Sequence, residues 1–193
     1  MNCRDDQCNS IPTVPLHSRR GIITALASAA VLSPGLSVAA TDASADDERF
    51  MRMALDEARQ ADFPFGAVIV RDGQVLTRGR NLGRTNGDPT AHGEMTAIRR
   101  CLADHGSAAL QGSTLYTTGE PCVMCIGAIL WCRVGRLVFA VSVEHLATTR
   151  DQILMSSADI AAKAPVAPIA ITGGVLADEA TQLFRMSPGV RRG

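Results

Sequence analysis

The chain has 193 residues, enough for one domain with a sizeable core, and 46% hydrophobic with 20% charged side chains is an ordinary globular balance. Nineteen basic side chains offset nineteen acidic ones, and Lys163 is the only lysine. This balance, without a basic tail or an acidic run, excludes a protein that recognises its partner through bulk charge.

The first forty residues have the pattern of an export signal. Arg19 and Arg20 precede a stretch without charge, from Gly21 to Ala40, which Pro34 and Gly35 interrupt and which ends in small residues suited to a signal peptidase. The run is Ala/Ser-rich and broken short of the ~20 apolar residues that a membrane span needs, and it lacks the alternation of a buried helix.

The string SRRGII resembles the twin-arginine export signal of bacteria, and a Sec-type signal with paired arginines is the alternative. We therefore predict an export signal over residues 1–40, a single domain over residues 41–193 and a periplasmic protein, which needs no membrane contact once the signal is cleaved.

Helices and strands alternate along the remainder. An amphipathic helix that Ser44 can cap comes first, and two strands joined by Asp72-Gly73, a strong hairpin signal, follow it. The further predicted elements are the helix HGEMTAIRRCLADH, the strand STLYTT, the helix PCVMCIGAILWC, the strand RLVFAV, the strand PIAIT and the closing helix DEATQLFR, with residues 145–165 ambiguous. The alternation predicts an α/β fold, a sheet with helices on both faces.

Two cysteines mark the start of the third helix. Cys122 and Cys125 are three residues apart, so their sulfurs fall on one helix face, and Pro121 is expected at the first helical position. The positive end of the helix favours the thiolate forms. The pair alone is compatible with metal ligands, a redox pair or core thiols.

A histidine and a glutamate upstream favour the metal. His92 and Glu94 open the second helix, and one histidine with two cysteines supplies three zinc ligands and leaves a fourth position for water, the catalytic arrangement. Zinc lowers the pKa of its water towards ~7, and Glu94 is placed to move the proton. The order H-x-E and then P-C-x-x-C is the signature of zinc-dependent deaminases. Taken singly, His92 is an ordinary surface or core residue, and Glu94 complements a helix dipole.

The strings PFGAVIV, DPTAHGEMTAIR, TLYTTGEPCVMCIGAI and RLVFA resemble the cytidine-deaminase-like superfamily, in the branch of bacterial guanine deaminases and tRNA adenosine deaminases. The resemblance runs from about Phe50 to Val143. It implies a three-layer α/β/α sandwich around a five-stranded mixed sheet, one Zn²⁺ per subunit, and a homodimer whose neighbour helps to wall the active site. It also implies that His92, Cys122 and Cys125 are the metal ligands and that Glu94 is the proton shuttle.

Two further positions match substrate contacts of that branch. Asn81 stands where the family has an asparagine that contacts the base, although a residue ending the hairpin is the alternative. The backbone amide of Ala91 stands where the family binds the carbonyl region of the ring. Gly93 replaces a more usual alanine, which should loosen the helix start.

Several features favour free guanine as the substrate. EMTAIR and AILWCR resemble guanine deaminases, with Trp131 at their tryptophan position, although Trp131 is also interpretable as core. Removing the three arginines and two aspartates of residues 1–40 leaves 16 basic and 17 acidic side chains, and an RNA enzyme needs a cationic surface. Aromatic stacking platforms are few, and an exported enzyme would not meet tRNA.

The specificity pocket departs from that group. Guanine deaminases read the exocyclic amine with an acidic residue after the fourth strand, and here Glu144 and Asp151 are available but neither registers cleanly. Cytosine, a nucleoside and tRNA adenosine stay open as substrates. Two hypotheses outside the deaminases also stay open: a zinc-binding module without catalysis, and a thiol oxidoreductase that uses the two cysteines alone.

Cys101 and Cys132 are left over, one on each of the two helices that carry the expected ligands. An oxidising compartment would permit a disulfide between them, and two buried free thiols are the favoured alternative.

Overall fold

The computed structural model describes residues 44–166 and 168–187, so the predicted export signal lies outside the described residues. The described helices are α1 (Ala45–Arg59), α2 (Gly83–Asn86), α3 (Gly93–His105), α4 (Val123–Trp131), α5 (Val143–Ala147), α6 (Ser157–Lys163) and α7 (Ala177–Met186), with a 3-10 turn at Ser107–Ala109. The strands are β1 (Gly66–Arg71), β2 (Gln74–Arg80), β3 (Thr114–Gly119), β4 (Arg136–Val141) and β5 (Ala170–Thr172).

The five strands form one mixed sheet in the order β2-β1-β3-β4-β5. β1 is antiparallel to both β2 and β3, whereas β3, β4 and β5 run parallel. The tight β1–β2 turn consists of Asp72 and Gly73, both at positive φ, as a two-residue hairpin loop requires. The parallel strands β3, β4 and β5 finish at the same end of the sheet. The starts of α3 and α4 lie close to each other, since His92 and Cys122 meet there.

The first helix is anchored at its beginning by a capping box. The Ser44 side chain accepts a hydrogen bond from the backbone of Asp47, and the Asp47 side chain accepts one from the backbone of Ser44. Asp47 also receives hydrogen bonds from Tyr116 on β3 and Arg136 on β4, which fasten the helix to the sheet.

A separate hydrophobic core covers each face of the sheet. On one face, α1 and α7 pack over β-strand residues such as Val68 and Val138. On the other, α3 and α4 pack over alternate strand residues such as Ile69 and Leu137. The alternation of side chains along each strand explains why both faces are covered. The prediction of a three-layer α/β/α sandwich with a five-stranded mixed sheet is confirmed.

Two local expectations need correction, and one ambiguous stretch is resolved. Pro121 is not in the first helical turn, because Cys122 is the N-cap of α4 and the helix begins at Val123. Trp131 is not core, since it is 80% exposed at the end of α4. The ambiguous stretch of residues 145–165 contains the end of α5 and the whole of α6.

None of the described helices is long and apolar enough to cross a membrane.

Candidate active site and zinc centre

Helix starts position the three candidate ligands. His92 is the N-cap of α3 and Cys122 the N-cap of α4, both with extended backbone, and Cys125 lies in the first turn of α4. An N-cap side chain projects beyond the helix end, and α3 and α4 pack on the same face of the sheet, so residues thirty positions apart meet.

The geometry of this cluster fits zinc. The Nδ1 atom of His92 lies 3.6 Å from the Sγ atoms of both Cys122 and Cys125, and the ligand atoms of the three residues lie within 4.8 Å of one another. Tetrahedral coordination with ordinary Zn–N and Zn–S bonds places nitrogen and sulfur about 3.6 Å apart. One imidazole and two thiols, which zinc prefers, therefore already stand at the required spacing.

The two thiols share one proton unequally. Hydrogen bonding with Cys125 lowers the pKa of the Cys122 thiol to about 4, and the same contact raises the pKa of Cys125. The hydrogen bond to Cys122 raises the pKa of His92. The cluster thus presents a thiolate, the form that binds a metal.

Glu94 lies beside the cluster in the first turn of α3 and is buried. The Thr117 hydroxyl, on β3, donates a hydrogen bond of 3.3 Å to Oε1 of Glu94. Burial raises the pKa of the Glu94 carboxyl, which suits a group that must accept a proton and release it again.

A cavity of about 690 Å³ opens over His92, Glu94 and Cys122. Asn81 lines it and is buried, and its Oδ1 accepts a hydrogen bond from the backbone of Gly83 at 3.0 Å, so its amide nitrogen is the group available to a ligand. Asn81 therefore both ends the hairpin and faces the cavity.

The two acidic candidates after β4 differ in their position relative to the cavity. Asp151 lines the cavity, whereas Glu144 is an exposed residue of α5 that does not line it. Exposed Asp151 is thus the one of the two within reach of a bound base.

Ala91 and Gly93 flank the ligand histidine. The Ala91 N–H donates to the carbonyl of Asp88 at 3.0 Å, so that amide is already engaged within the loop. A Cβ atom at Gly93 would lie 2.8 Å from the carbonyl oxygen of Phe65. Glycine therefore permits close packing of the helix start against Phe65, a residue of the cavity wall, where the sequence had indicated only looseness.

Glu120 is a cavity residue that the sequence interpretation missed. Its carboxylate accepts hydrogen bonds from the backbone of Val143 at 2.9 Å and of Ser157 at 2.7 Å. It lies two residues before Cys122, so it ties the ligand loop to the starts of α5 and α6. The sequence shows Glu120 in the string GEPC, near the candidate ligand Cys122. It does not show the hydrogen-bond partners of Glu120, which are 23 and 37 residues away.

Cys101 and Cys132 are free thiols. Cys101 is buried, as expected, and Cys132 is half-buried. The disulfide between them is not formed in the structure.

Comparison with known proteins agrees with this site. The family model of the cytidine and deoxycytidylate deaminase zinc-binding region matches residues 44–141, about half of the chain. Guanine deaminase of Bacillus subtilis is 49% identical over 82 residues, which are 42% of this chain and 51% of that protein. A tRNA-specific adenosine deaminase of Haemophilus influenzae is 46% identical over 101 residues, which are 50% of this chain and 58% of that protein. The matched part thus spans only about half the length of these relatives.

Solved structures share the fold. One, from a study of A-to-I editing by tRNA:A34 deaminases, is 32% identical with a TM-score of 0.61 over 70% of this chain and 98% of its own. A guanine deaminase from Nitrosomonas europaea is 23% identical with a TM-score of 0.61, over 73% of this chain and 84% of its own, a likeness of fold alone. The chain belongs to the cytidine and deoxycytidylate deaminase family, whose zinc-binding region it contains.

Proposed function

We propose that this protein is a zinc-dependent hydrolytic deaminase that converts an amino group on a nucleobase ring to an oxo group and releases ammonia. The observation that carries the proposal is the buried Glu94 beside a His-Cys-Cys cluster at the base of a cavity. A site built only to hold zinc has no use for a buried carboxyl whose neighbour, Thr117, orients it.

His92, Cys122 and Cys125 would hold the metal, which supplies a Lewis acid that makes water nucleophilic near neutral pH. Glu94 accepts a proton from the attacking water and delivers it to a ring nitrogen of the substrate. After the water oxygen has bonded to the ring carbon, the same carboxyl takes the hydroxyl proton from that carbon and passes it to the departing amine, so that the C=O bond forms, the C–N bond breaks and ammonia leaves. Because two protons pass through this one carboxyl, replacement of Glu94 should lower turnover severely.

We propose a free base, guanine first, as the substrate. A cavity of about 690 Å³ can enclose a purine, and the Asn81 amide is placed to donate to its edge. The near-neutral charge of residues 41–193 supports a small substrate over a nucleic acid.

Adenosine in tRNA is the second candidate, because several relatives are tRNA-specific adenosine deaminases. Cytosine and nucleosides complete the set that must be tested.

The decisive experiment measures ammonia release by the zinc-loaded protein from guanine, adenine, cytosine, their nucleosides and a tRNA with adenosine at the first anticodon position. We expect turnover of guanine, and a loss of at least ~10²–10⁴-fold for Glu94→Gln with zinc content unchanged. Glu144→Gln, an exposed variant outside the cavity, is the control. Zinc binding without release from any substrate would favour a non-catalytic module.

We also propose that the protein works as a homodimer, joined through the end of α4. Trp131 is 80%, Leu154 68% and Ile153 59% exposed. Trp131 and Met155 line one small cavity, and Ile153 lines the cavity of the candidate active site. Exposed large apolar side chains grouped in this way favour an interface.

Light scattering coupled to gel filtration tests the dimer. Trp131→Glu should shift the protein to a monomer, and Leu102→Glu, a change at a 40% exposed leucine on α3, should not. A monomeric parent protein would refute the proposal.

Export through the twin-arginine route to the periplasm remains our proposal for residues 1–40. Replacing Arg19 and Arg20 with lysine should stop the appearance of the protein in the periplasm. An unchanged periplasmic yield would point to the Sec route or to a misread leader.

A further inference from the structure

A buried arginine forms part of the cavity wall. Arg150 follows α5 and is only 9% exposed, yet it lines the same cavity as Asn81 and Glu94. It belongs to none of the motifs that identify the family, which end at residue 141.

The far side of the guanidinium is anchored. Its Nη2 atom donates hydrogen bonds to the carbonyls of Phe184, at 2.7 Å, and Ser187, at 2.5 Å, at the C-terminal end of α7. The group also lies 5.1 Å from the ring centre of Phe184 and 5.9 Å from that of Phe65. Carbonyls at a helix C-terminus and aromatic faces both stabilise a cation, so the side chain is held in one orientation.

The charge has no counter-ion among the described residues. No carboxylate forms an ion pair with Arg150, and Nε is buried without a hydrogen-bond partner. Burial lowers the pKa of Arg150. Glu120 lines the cavity too, but both its carboxylate oxygens accept backbone hydrogen bonds. A buried cation left without an anion is costly unless something else compensates it.

The rest of the guanidinium is free for a ligand. Nη1 makes no hydrogen bond to any described residue, and only Nε is both buried and unpartnered, so Nη1 reaches the cavity surface. The amide nitrogen of Asn81 is a second donor that lines the same cavity. Two donors and a positive charge favour a ligand edge that carries oxygen acceptors.

We propose that Arg150 is a specificity-determining residue that binds an oxygen acceptor on the substrate, away from the amino group that leaves. This rests on the proposed function. The acceptor is a ring oxo group or a phosphate oxygen, which share the chemistry that a guanidinium recognises.

Binding without turnover tests the proposal. The zinc-loaded Glu94→Gln protein is titrated by calorimetry with guanine, with 2,6-diaminopurine, and with guanosine and its 5′-monophosphate. 2,6-Diaminopurine carries an amino group in place of the oxo group of guanine and therefore also lacks the hydrogen on the adjacent ring nitrogen. In this background Arg150→Met should weaken guanine about 10- to 100-fold and leave 2,6-diaminopurine nearly unchanged if the acceptor is the ring oxo group. A loss confined to the monophosphate would assign the phosphate instead.

Two further variants guard against a structural explanation. Arg185→Met removes an exposed arginine of α7 and should change no affinity. Arg150→Lys keeps the charge and should retain part of the preference even if Arg150→Met folds poorly. Equal losses for guanine and 2,6-diaminopurine, or a parent protein that binds every probe with the same affinity or none at all, would overturn the proposal.

The ammonia-release panel stays separate from this test. A chain that binds oxo purines through Arg150 but releases no ammonia would refute the proposed function and leave the binding role standing. Ammonia release by a protein whose affinities are unchanged by Arg150→Met would support the proposed function and refute the role of Arg150.

Discussion

Replacement of Asp47 by asparagine should destabilise the protein more than any other single loss of charge on α1. Asp47 is buried, and its carboxylate receives hydrogen bonds from Arg136, at 2.6 and 2.9 Å, and from the Tyr116 hydroxyl, at 2.9 Å. The contact with Arg136, ahead of the others, lowers the pKa of Asp47 from 3.8 to about 2.

The size of the effect follows from that shift. A fall from 3.8 to about 2 corresponds to about 2 kcal/mol of stability at neutral pH. Because the pKa of the folded state is the lower one, this contribution is complete above the unfolded pKa and is lost as the pH falls from about 4 to about 2. Asparagine also leaves Arg136 without its anion, so we expect a total loss of about 2 to 3 kcal/mol at pH 7.

Urea unfolding of both proteins at pH 7, 5, 3 and 2 measures this loss. The difference in unfolding free energy between the two proteins should shrink by about 2 kcal/mol between pH 5 and pH 2. Because the two proteins are compared at each pH, any metal release that is common to both cancels. Asp46→Asn is the matched control, since the Asp46 side chain is 73% exposed and pairs only with exposed Arg49, and it should cost under about 0.5 kcal/mol. A difference for Asp47→Asn that is below about 1 kcal/mol, or that does not depend on pH, would refute the reasoning.

Three other outcomes are expected. Removal of zinc with a chelator should lower the melting temperature and abolish ammonia release, and re-addition of zinc should restore both; an unchanged melting temperature would contradict a site that ties α3 to α4. Thr117→Val should lower kcat about tenfold through loss of the hydrogen bond to Glu94, with KM little changed. Thr117→Ser keeps the hydroxyl and should restore kcat. Equal rates for the parent protein and both variants would show that Thr117 only fills space. Gly79→Ala should destabilise the protein by about 1–3 kcal/mol in urea unfolding, because the new Cβ would lie 2.3 Å from a backbone oxygen of α3. Gly127→Ala is the control and should be neutral or stabilising, since nothing lies within contact of a Cβ there. A larger loss for Gly127→Ala than for Gly79→Ala would contradict the packing.

Much of the fold was predictable because the signals are local. The Asp72-Gly73 pair selects a hairpin turn by backbone conformation, and Ser44 caps α1 through atoms three residues away. The metal cluster was predictable for a related reason: Cys122 and Cys125 are neighbours on one helix start, and the family signature pairs them with His92.

Two local expectations did not hold. Trp131 is the last residue of the apolar helix α4 and was also interpretable as core, yet it is 80% exposed. The prediction that Pro121 takes the first helical position was wrong for a local reason. Cys122 takes the cap position, which orients its sulfur towards His92.

The sequence by itself predicted the candidate chemistry of this protein, because Cys122 and Cys125 share one helix start and the family signature adds His92 and Glu94 to them. Only the tertiary structure decided what surrounds that chemistry. Arg150 enters the cavity wall because carbonyls of α7, 34 and 37 residues further along the chain, hold its guanidinium, and Asn81 presents its amide nitrogen because Gly83 occupies its oxygen. Such contacts carry no short-range pattern, since they arise when separate helices and loops pack around one sheet and each buried polar group must find a partner wherever the fold has brought one.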